Sequence, residues 1–384
     1  MKFLLTAIDR FDMVSEAIRE FGNEVPIIIE NNRLVPKGLS ATGIFEPSNE
    51  KYLKQARDII ESLEVDCVLS TSGYDEHVLT EGLIGEICEE KSILFIGQNT
   101  ECISICNNKH RTREVLKSHN LIAEGELIQK RNDLEDYFKK NNATVIYKPT
   151  SEMSGNGQIV IDNITQIKSL DLQLPGIVER FIEGIEVGLD IFTLNNKHIS
   201  FEPIYKSETS LRNKHSLEKV RIANFPFSDE VKNRIIEAGR IVAEAVKSSG
   251  WINIDLILDK NENIYIIDVN PRTGGTTRMN YMASKVNPYK IAIEQVLNHK
   301  KMENLVIPFS DCVLEFPIYK NFDIENSDEL FIYYSSNART YLGILTVNMK
   351  LLEADRNIFE VVAKNNSSVV QYLEQLGILN VELR

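Results

Sequence analysis

The sequence predicts an α/β protein that opens on a Rossmann-like parallel sheet, and three observations carry this. Within the first hundred residues short apolar runs recur at FLLTAI (3–8), VPIIIE (25–30), DCVLST (66–71) and ILFIG (93–97). Helix-like stretches at 11–21, 50–63 and 75–90 lie between most of them, and strands alternating with helices make parallel βαβ units. The length of 384 residues exceeds what one core accommodates and implies roughly two to four units of about 100–200 residues. No G-x-G-x-x-G follows the first run, so the dinucleotide fingerprint is absent.

Further along, NNKHRTREVLKS (107–118) reads as a helix with Asn107 or Asn108 as its N-cap. TVIYKPT (144–150) is a strand closing on Lys148 and Pro149, and the glycine-containing loop TSEMSGNGQIV follows. After another helix comes the strand GIVERFIEG (176–184), then strand-like runs between 187 and 205. The polar stretch 206–219 has little periodicity and reads as a loop. Residues 229–248 are helical, strands 251–259 and 263–270 flank DKNEN, and 287–298 form a further helix. The last 80 residues read as a small α/β piece, and no internal repeat is visible.

Composition narrows the function. A net charge of -13 argues against nucleic acid as a partner, while leaving room for a local basic cleft that holds phosphate. The apolar run of MKFLLTAIDRFD is short and closes on Asp9 and Arg10, unlike a secretory signal. No run approaches about 18 uncharged apolar residues, so no membrane span is expected. Five cysteines, an odd count without metal-like pairing, suit reduced thiols and a cytoplasmic setting. Cys102 and Cys106 stand at helical spacing, which does not favour a metal site.

The stretch WINIDLILDKNENIYIIDVN (251–270) reads as a hairpin, because residues 259–263 are rich in turn formers. With a four-residue loop at 260–263, Asp259 faces Ile264, Asp255 faces Asp268 and Asn253 faces Asn270. Alternation then sets those four polar residues on one face and Ile254, Leu256, Ile267 and Val269 on the other. Opposed side chains sit about 4.5–5.5 Å apart at Cβ, and two like charges there repel. A hard divalent cation removes the repulsion; Mg²⁺ binds through one or two carboxylates together with substrate phosphates. The alternative is a solvated sheet face, and a one-residue slip of register would separate the set.

Three other pieces carry weaker signals. Lys148 precedes a loop whose Gly155 and Gly157 permit close backbone approach to a phosphate, although a plain surface turn fits as well. Lys109 starts a helix, where a lone lysine is ordinarily solvated. VERFIEGIEVGLD (178–190) suits a strand whose backbone pairs with a purine and whose Glu186 accepts from ribose hydroxyls; an ordinary amphipathic strand is the alternative.

Taken in order, Lys109, Lys148 with its glycine loop, VERFIEGIEVGLD and NIDLILDKNENIYIIDVNPR resemble the ATP-grasp superfamily over about residues 100–300. The resemblance implies three units: a Rossmann-like domain at 1–105, a two-lobed ATP-grasp domain at 106–305 (lobes about 106–180 and 181–305), and a C-terminal α/β subdomain at 306–384. It implies ATP and Mg²⁺ (or Mn²⁺) as cofactors. Lys109, Lys148 and Lys206 would contact phosphates, with Gly155 and Gly157 in the loop that closes over them. Glu179, Arg180 and Ile182 would line the adenine site, and Glu186 would bind ribose. Asp255, Asp268 and Asn270 would hold the metal. Arg272 would stabilise the transferring phosphoryl group, and Arg278 would take a substrate carboxylate. One departure stands out: the second metal carboxylate is usually glutamate in the family, and here it is Asp268.

The family's chemistry is attack of a carboxylate on the γ-phosphate of ATP, then displacement of phosphate from the acyl phosphate by an amine. The overall proportions resemble ligases that join two free L-amino acids, including the L-aspartate–L-methionine type. Amino acids are therefore the expected substrates and a homodimer the expected assembly. A ligase of a cell-wall, nucleotide-precursor or specialised pathway, and a non-catalytic nucleotide-binding regulator, are the alternatives.

Overall fold

The computed structural model describes residues 1–7, 9–21, 27–30, 41–44, 50–62, 64–73, 75–152, 156–211, 219–297, 302–319, 325–334, 343–356, 358–360, 371, 373–375 and 377. The first sheet contains β1 (Phe3–Leu5), β2 (Ile27–Glu30), β3 (Ala41–Ile44), β4 (Cys67–Leu69) and β5 (Leu94–Ile96). They run parallel in the order β3-β2-β1-β4-β5. The expected α/β class is therefore what the structure shows. This order reverses between β1 and β4, and open α/β sheets bind ligands beyond the carboxyl ends of strands at such a point. Helix α1 (Phe11–Arg19) buries Met13, Val14, Ala17 and Ile18, the one-sided spacing of an amphipathic helix. α2 (Glu50–Ser62) and α3 (Asp75–Glu90) complete the unit. The apolar side of α1 shares one core with Phe192, Phe201, Trp251, Met279 and Tyr289, so the N-terminal sheet is packed against the rest of the chain.

After α4 (Thr100–Cys106) and α5 (Lys109–Leu116) comes an antiparallel sheet of β6 (Gly125–Ile128), β7 (Val145–Pro149), β8 (Ile159–Ile161) and β9 (Gly176–Arg180), in the order β6-β9-β7-β8. Helices α6 (Arg131–Asn141) and α7 (Ile164–Ile167) cover it, and Leu134, Tyr137, Phe138 and Ile167 close its core against Val145, Tyr147 and Val178.

The third sheet contains β10 (Gly184–Leu194), β11 (Lys197–Phe201), β12 (Ile204–Glu208), β13 (Arg221–Ala223), β14 (Trp251–Asp259), β15 (Ile264–Asn270), β16 (Leu305–Ile307), β17 (Val313–Ile318), β18 (Leu330–Tyr334) and β19 (Gly343–Asn348). Its path is β15-β14-β10-β12-β13-β17-β19-β18, with β11 and β16 extending from β10. The C-terminal α/β piece thus shares its sheet with the preceding lobe through the β13–β17 pairing. Helix α8 (Asp229–Ala245) packs on β10 and β14 through Ile235, Ala238 and Val242. Gly239 permits that approach, because a Cβ there would lie 2.4 Å from Leu189 Cδ2 and 2.6 Å from Ile191 Cδ1. Helices α9 (Thr277–Ser284), α10 (Pro288–Leu297) and α11 (Met349–Ala354) follow.

The β14–β15 hairpin reaches its expected pairing by an unexpected route. Asn253 faces Asn270 and Asp255 faces Asp268, as the sequence predicts, but Leu258 rather than Asp259 faces Ile264. The loop is three residues long, not four. Asp259 N–H donates to Asn263 O at 3.0 Å, Glu262 adopts a left-handed φ of 60°, and Asp259 Oδ1 accepts from Asn261 N at 2.8 Å and Asn263 N at 2.9 Å. A β-bulge between Asp255 and Leu256 then restores the register. A bulge adds one residue to one strand and re-aims its side chains. Ile266 therefore enters the core, and Ile267, expected on the core face, packs instead with Ile182 and Ile257.

Candidate active site

A cavity of about 570 Å³ is lined by residues of the second and third sheets and of the N-terminal unit, within the usual range for small-molecule sites. Its walls include Lys109, Lys148, Gly157, Glu179, Arg180, Ile182, Glu186, Lys206, Asp255, Asp268, Asn270 and Arg272. Residues far apart in sequence and chosen from their pattern thus converge on one space. Gly155 lies outside the described residues.

Each lysine is placed by its own element. Asn108 caps α5, its side chain accepting from His110 N at 3.0 Å and Arg111 N at 3.1 Å, which fixes Lys109 at the first turn. Lys109 Nζ lies 2.9 Å from Asp268 Oδ1. Lys206, on β12, reaches Asp255 Oδ1 at 2.5 Å, and Lys219 reaches Glu186 Oε1 at 2.5 Å. Burial pushes the Asp268 carboxyl up, but Lys109, Lys148 and Arg272 outweigh it and hold the group below the ordinary aspartate value.

Lys148 belongs to a buried triad. Its Nζ lies 2.8 Å from Glu179 Oε2 and donates to Ile267 O at 3.4 Å, in the bulge. Arg113, one turn after Lys109 on α5, ion-pairs Glu179 from the other side and donates to Ala123 O at 3.0 Å. Burial raises the Glu179 carboxyl, and the two cations more than reverse it, so the group sits below the ordinary glutamate value. Gly157 has φ 67°, and a Cβ there would lie 2.8 Å from Pro149 Cγ, so the loop needs glycine at this point.

The loop after β15 is held from beneath by Asp190. Its carboxylate accepts from Asn253 Nδ2 at 2.6 Å, Thr276 Oγ1 at 3.1 Å and Asn280 Nδ2 at 2.5 Å. Asn253, expected beside the metal carboxylates, is therefore a strut between Asp190, Thr276 and Asn270. The double glycine also finds its reason. A Cβ on Gly274 would lie 2.3 Å from Asn253 Cγ, and one on Gly275 would lie 2.9 Å from Arg221 Nη1.

Two carboxylates and an amide oxygen suit Mg²⁺ that takes its other ligands from phosphates and water. Among the described residues no group of three or more His, Cys, Asp or Glu could hold a metal alone. The donor set thus fits an ion delivered with a nucleotide. Cys102 and Cys106 are buried, with sulfurs 4.0 Å apart, and among the described residues they belong to no group of three or more metal-ligating side chains.

Arg278 is the correction. It stands outside the cavity, donates to both carboxylate oxygens of Asp12 at 2.7 and 2.9 Å, and lies over the Phe331 ring at 3.5 Å. It ties α9 to α1 and β18, because the helix that starts just after the glycines turns its second residue toward the N-terminal unit. Arg278→Ala is expected to cost about 1 kcal/mol of stability, since Asp12 is largely exposed. The rate of ADP release should stay within about threefold; urea unfolding and steady-state kinetics check both.

Sequence reasoning missed Arg10, Arg113, Lys219 and Arg221. Arg113 was detectable, lying four residues after Lys109 and so on the same helix face. Lys219 and Arg221 sat at the end of a stretch without periodicity, and Arg10 in a loop with no motif.

Residues 89–276 match the family described as ATP-grasp domain. The chain is 26% identical over 290 residues to a carbamoyl-phosphate synthase from Methanobrevibacter smithii, covering 75% of this chain and 78% of that protein. It spans 27% of the carbamoyl phosphate synthase large chain of Clostridium acetobutylicum, at 24% identity over 311 residues. Among solved structures, an L-amino acid ligase from Bacillus licheniformis superposes with a TM-score of 0.70 at 15% identity, covering 91% of this chain and 93% of that one. The fold is the one that ligase has, and the ATP-grasp match covers just under half of this chain. Among the described residues no helix is long and apolar enough to cross a membrane.

Proposed function

We propose that this chain is an ATP- and Mg²⁺-dependent carboxylate–amine ligase that joins two L-amino acids into a dipeptide through an acyl phosphate. The observation that carries the reading is the convergence of Arg272, the opposed carboxylates Asp255 and Asp268 and the lysines Lys109, Lys148 and Lys206 on one cavity. A metal ion would be held by Asp255, Asp268 and Asn270, and would neutralise charge on the phosphates. The amide nitrogen of Asn270 points to Asn253 at 3.4 Å, so its ligating atom is Oδ1. Lys109 and Lys206 would turn from the carboxylates to the phosphates, and Gly157 would bring the loop backbone over them.

At the purine end, Arg180 N–H is already given to Glu124 O at 2.8 Å and Phe181 N–H to Thr144 O at 3.0 Å. Adenine contacts therefore fall to Arg180 C=O and the Ile182 backbone, with Ile182, Ile257 and Ile267 forming an apolar wall. Glu186, with Lys219 beside it, would accept from the ribose. Arg272 would stabilise the transferring phosphoryl group, the part of the reaction in which positioning and charge matter most.

The test is a phosphate-release screen of all amino-acid pairs with ATP and Mg²⁺, followed by mass spectrometry. A dipeptide with matching ADP is expected, and no release from any pair overturns the dipeptide reading. A second reading rests on the sequence relatives, which are carbamoyl-phosphate synthases. The same screen with bicarbonate and ammonia decides it, because carbamoyl phosphate would then form in place of a peptide.

A further inference from the structure

The ligase reading gives no task to Arg10, a cation of the cavity wall. Arg10 follows β1, at the point where the strand order of the first sheet reverses. It adopts a left-handed φ of 51°, uncommon for a residue with a side chain and a conformation that clusters at functional sites. It stands at the N-cap of α1 yet makes no side-chain capping bond. Its guanidinium instead enters the cavity, donating to Gly274 O at 2.5 Å and Thr273 Oγ1 at 3.3 Å.

The Tyr289 hydroxyl also hydrogen-bonds this guanidinium, and all three partners are neutral at pH 7. Five other cations of the cavity carry carboxylates: Lys109 with Asp268, Lys148 with Glu179, Lys206 with Asp255, Lys219 with Glu186 and Arg221 with Glu315. Among the described residues no carboxylate forms an ion pair with Arg10. The acidic groups that bear on its charge are engaged elsewhere: Asp9 Oδ2 accepts from Gly73 N at 3.0 Å, and Asp190 holds Asn253, Thr276 and Asn280. Gly73 keeps the guanidinium face clear, since a Cβ there would lie 3.3 Å from Arg10 Nη1. A partly buried cation with only neutral partners calls for an anion, and arginine offers carboxylates a planar fork of donors.

We propose that Arg10 binds the carboxylate of the amine-side substrate, making it a specificity-determining residue. This rests on the ligase reading. An amino acid that supplies the amine brings a carboxylate that does not react and must be neutralised. Arg272, in the ligase reading, serves the transferring phosphoryl group and not this carboxylate. Arg10 approaches from the N-terminal unit, against Thr273 and Gly274.

The test titrates Mg–ADP-loaded protein calorimetrically with each L-amino acid and with its α-amide, for the wild type, Arg10→Met and Arg10→Lys. Wild type is expected to bind at least one acid tenfold or more tightly than its amide. Arg10→Met should erase that preference, Arg10→Lys should restore part of it, and Mg–ADP affinity should stay unchanged in all three. In any active pair, Arg10→Met should raise the KM of one substrate tenfold or more while kcat and the other KM hold. Retained acid-over-amide preference in Arg10→Met, or a fall in kcat with both KM values unchanged, overturns the assignment. If no amino acid binds, the dipeptide reading fails on its own. Acetate, succinate and citrate then decide Arg10 by the same comparison: weakening by Arg10→Met supports it, and equal or absent binding overturns it.

Discussion

Asp268→Asn is expected to lower ADP release by about a thousandfold or more, a loss of about 4 kcal/mol in transition-state stabilisation. The carboxylate faces Asp255 across the hairpin and is held below its ordinary pKa because Lys109, Lys148 and Arg272 outweigh the effect of burial. It is therefore fully charged at neutral pH, and the substitution removes a whole negative charge from a site crowded with cations. An asparagine keeps the shape and loses the anionic ligand, so affinity for the divalent ion falls. Lys109, its partner at 2.9 Å, then adds an uncompensated positive charge where the ion should sit. Folding should survive, because Asp268 faces the cavity rather than the core. ADP release and Mn²⁺ binding followed by electron paramagnetic resonance, with thermal unfolding as the control, check the expectation. Turnover within tenfold of wild type would remove Asp268 from the metal set.

The same hairpin shows how far the sequence could be read. The pairing of Asp255 with Asp268 followed from alternation and turn chemistry, yet two deviations cancelled to produce it. The turn is one residue shorter than expected, because the Asp259 side chain caps Asn261 and Asn263 and Glu262 takes the left-handed position a three-residue loop requires. The bulge at Ile266 and Ile267 then adds the residue back. No local pattern announces a bulge, since its cause is tertiary: Ile266 N–H donates to Leu121 O at 2.6 Å and Ile267 O accepts from Lys148. Arg278 failed for a related reason. Its position just past the glycines suggested the site, but the α9 register turns it to Asp12 and Phe331. Periodicity carried the helices well, as with 50–63 against the observed Glu50–Ser62. It missed β3, whose short ATGI carries no apolar run and pairs with β2.

Glu179→Ala is expected to cost about 3–5 kcal/mol of stability, the range for removing one member of a buried charge set. Glu179 lies between Lys148 and Arg113, and all three side chains are at most 12% exposed. Alanine would leave two buried cations without an anion, where each costs more than the original set. Glu179→Gln keeps the shape and removes only the charge, so it should fall between alanine and wild type in urea midpoint. The pH dependence follows from the lowered pKa. The folded state favours the charged carboxylate more than the unfolded chain does, so its contribution is complete above the ordinary glutamate value and disappears as pH falls through the lower folded value. The gap between wild type and Glu179→Gln should therefore be widest near neutrality and close only in acid below the ordinary glutamate range. A gap that stays open in acid below that range would mean that packing, rather than charge, makes Glu179 necessary. Lys148 would then stay in place in the variant, and nucleotide affinity would be unaffected. If charge is the cause, loss of Glu179 frees Lys148 from the Glu179 side and leaves only Ile267 O to hold it, and ADP affinity should weaken together with stability.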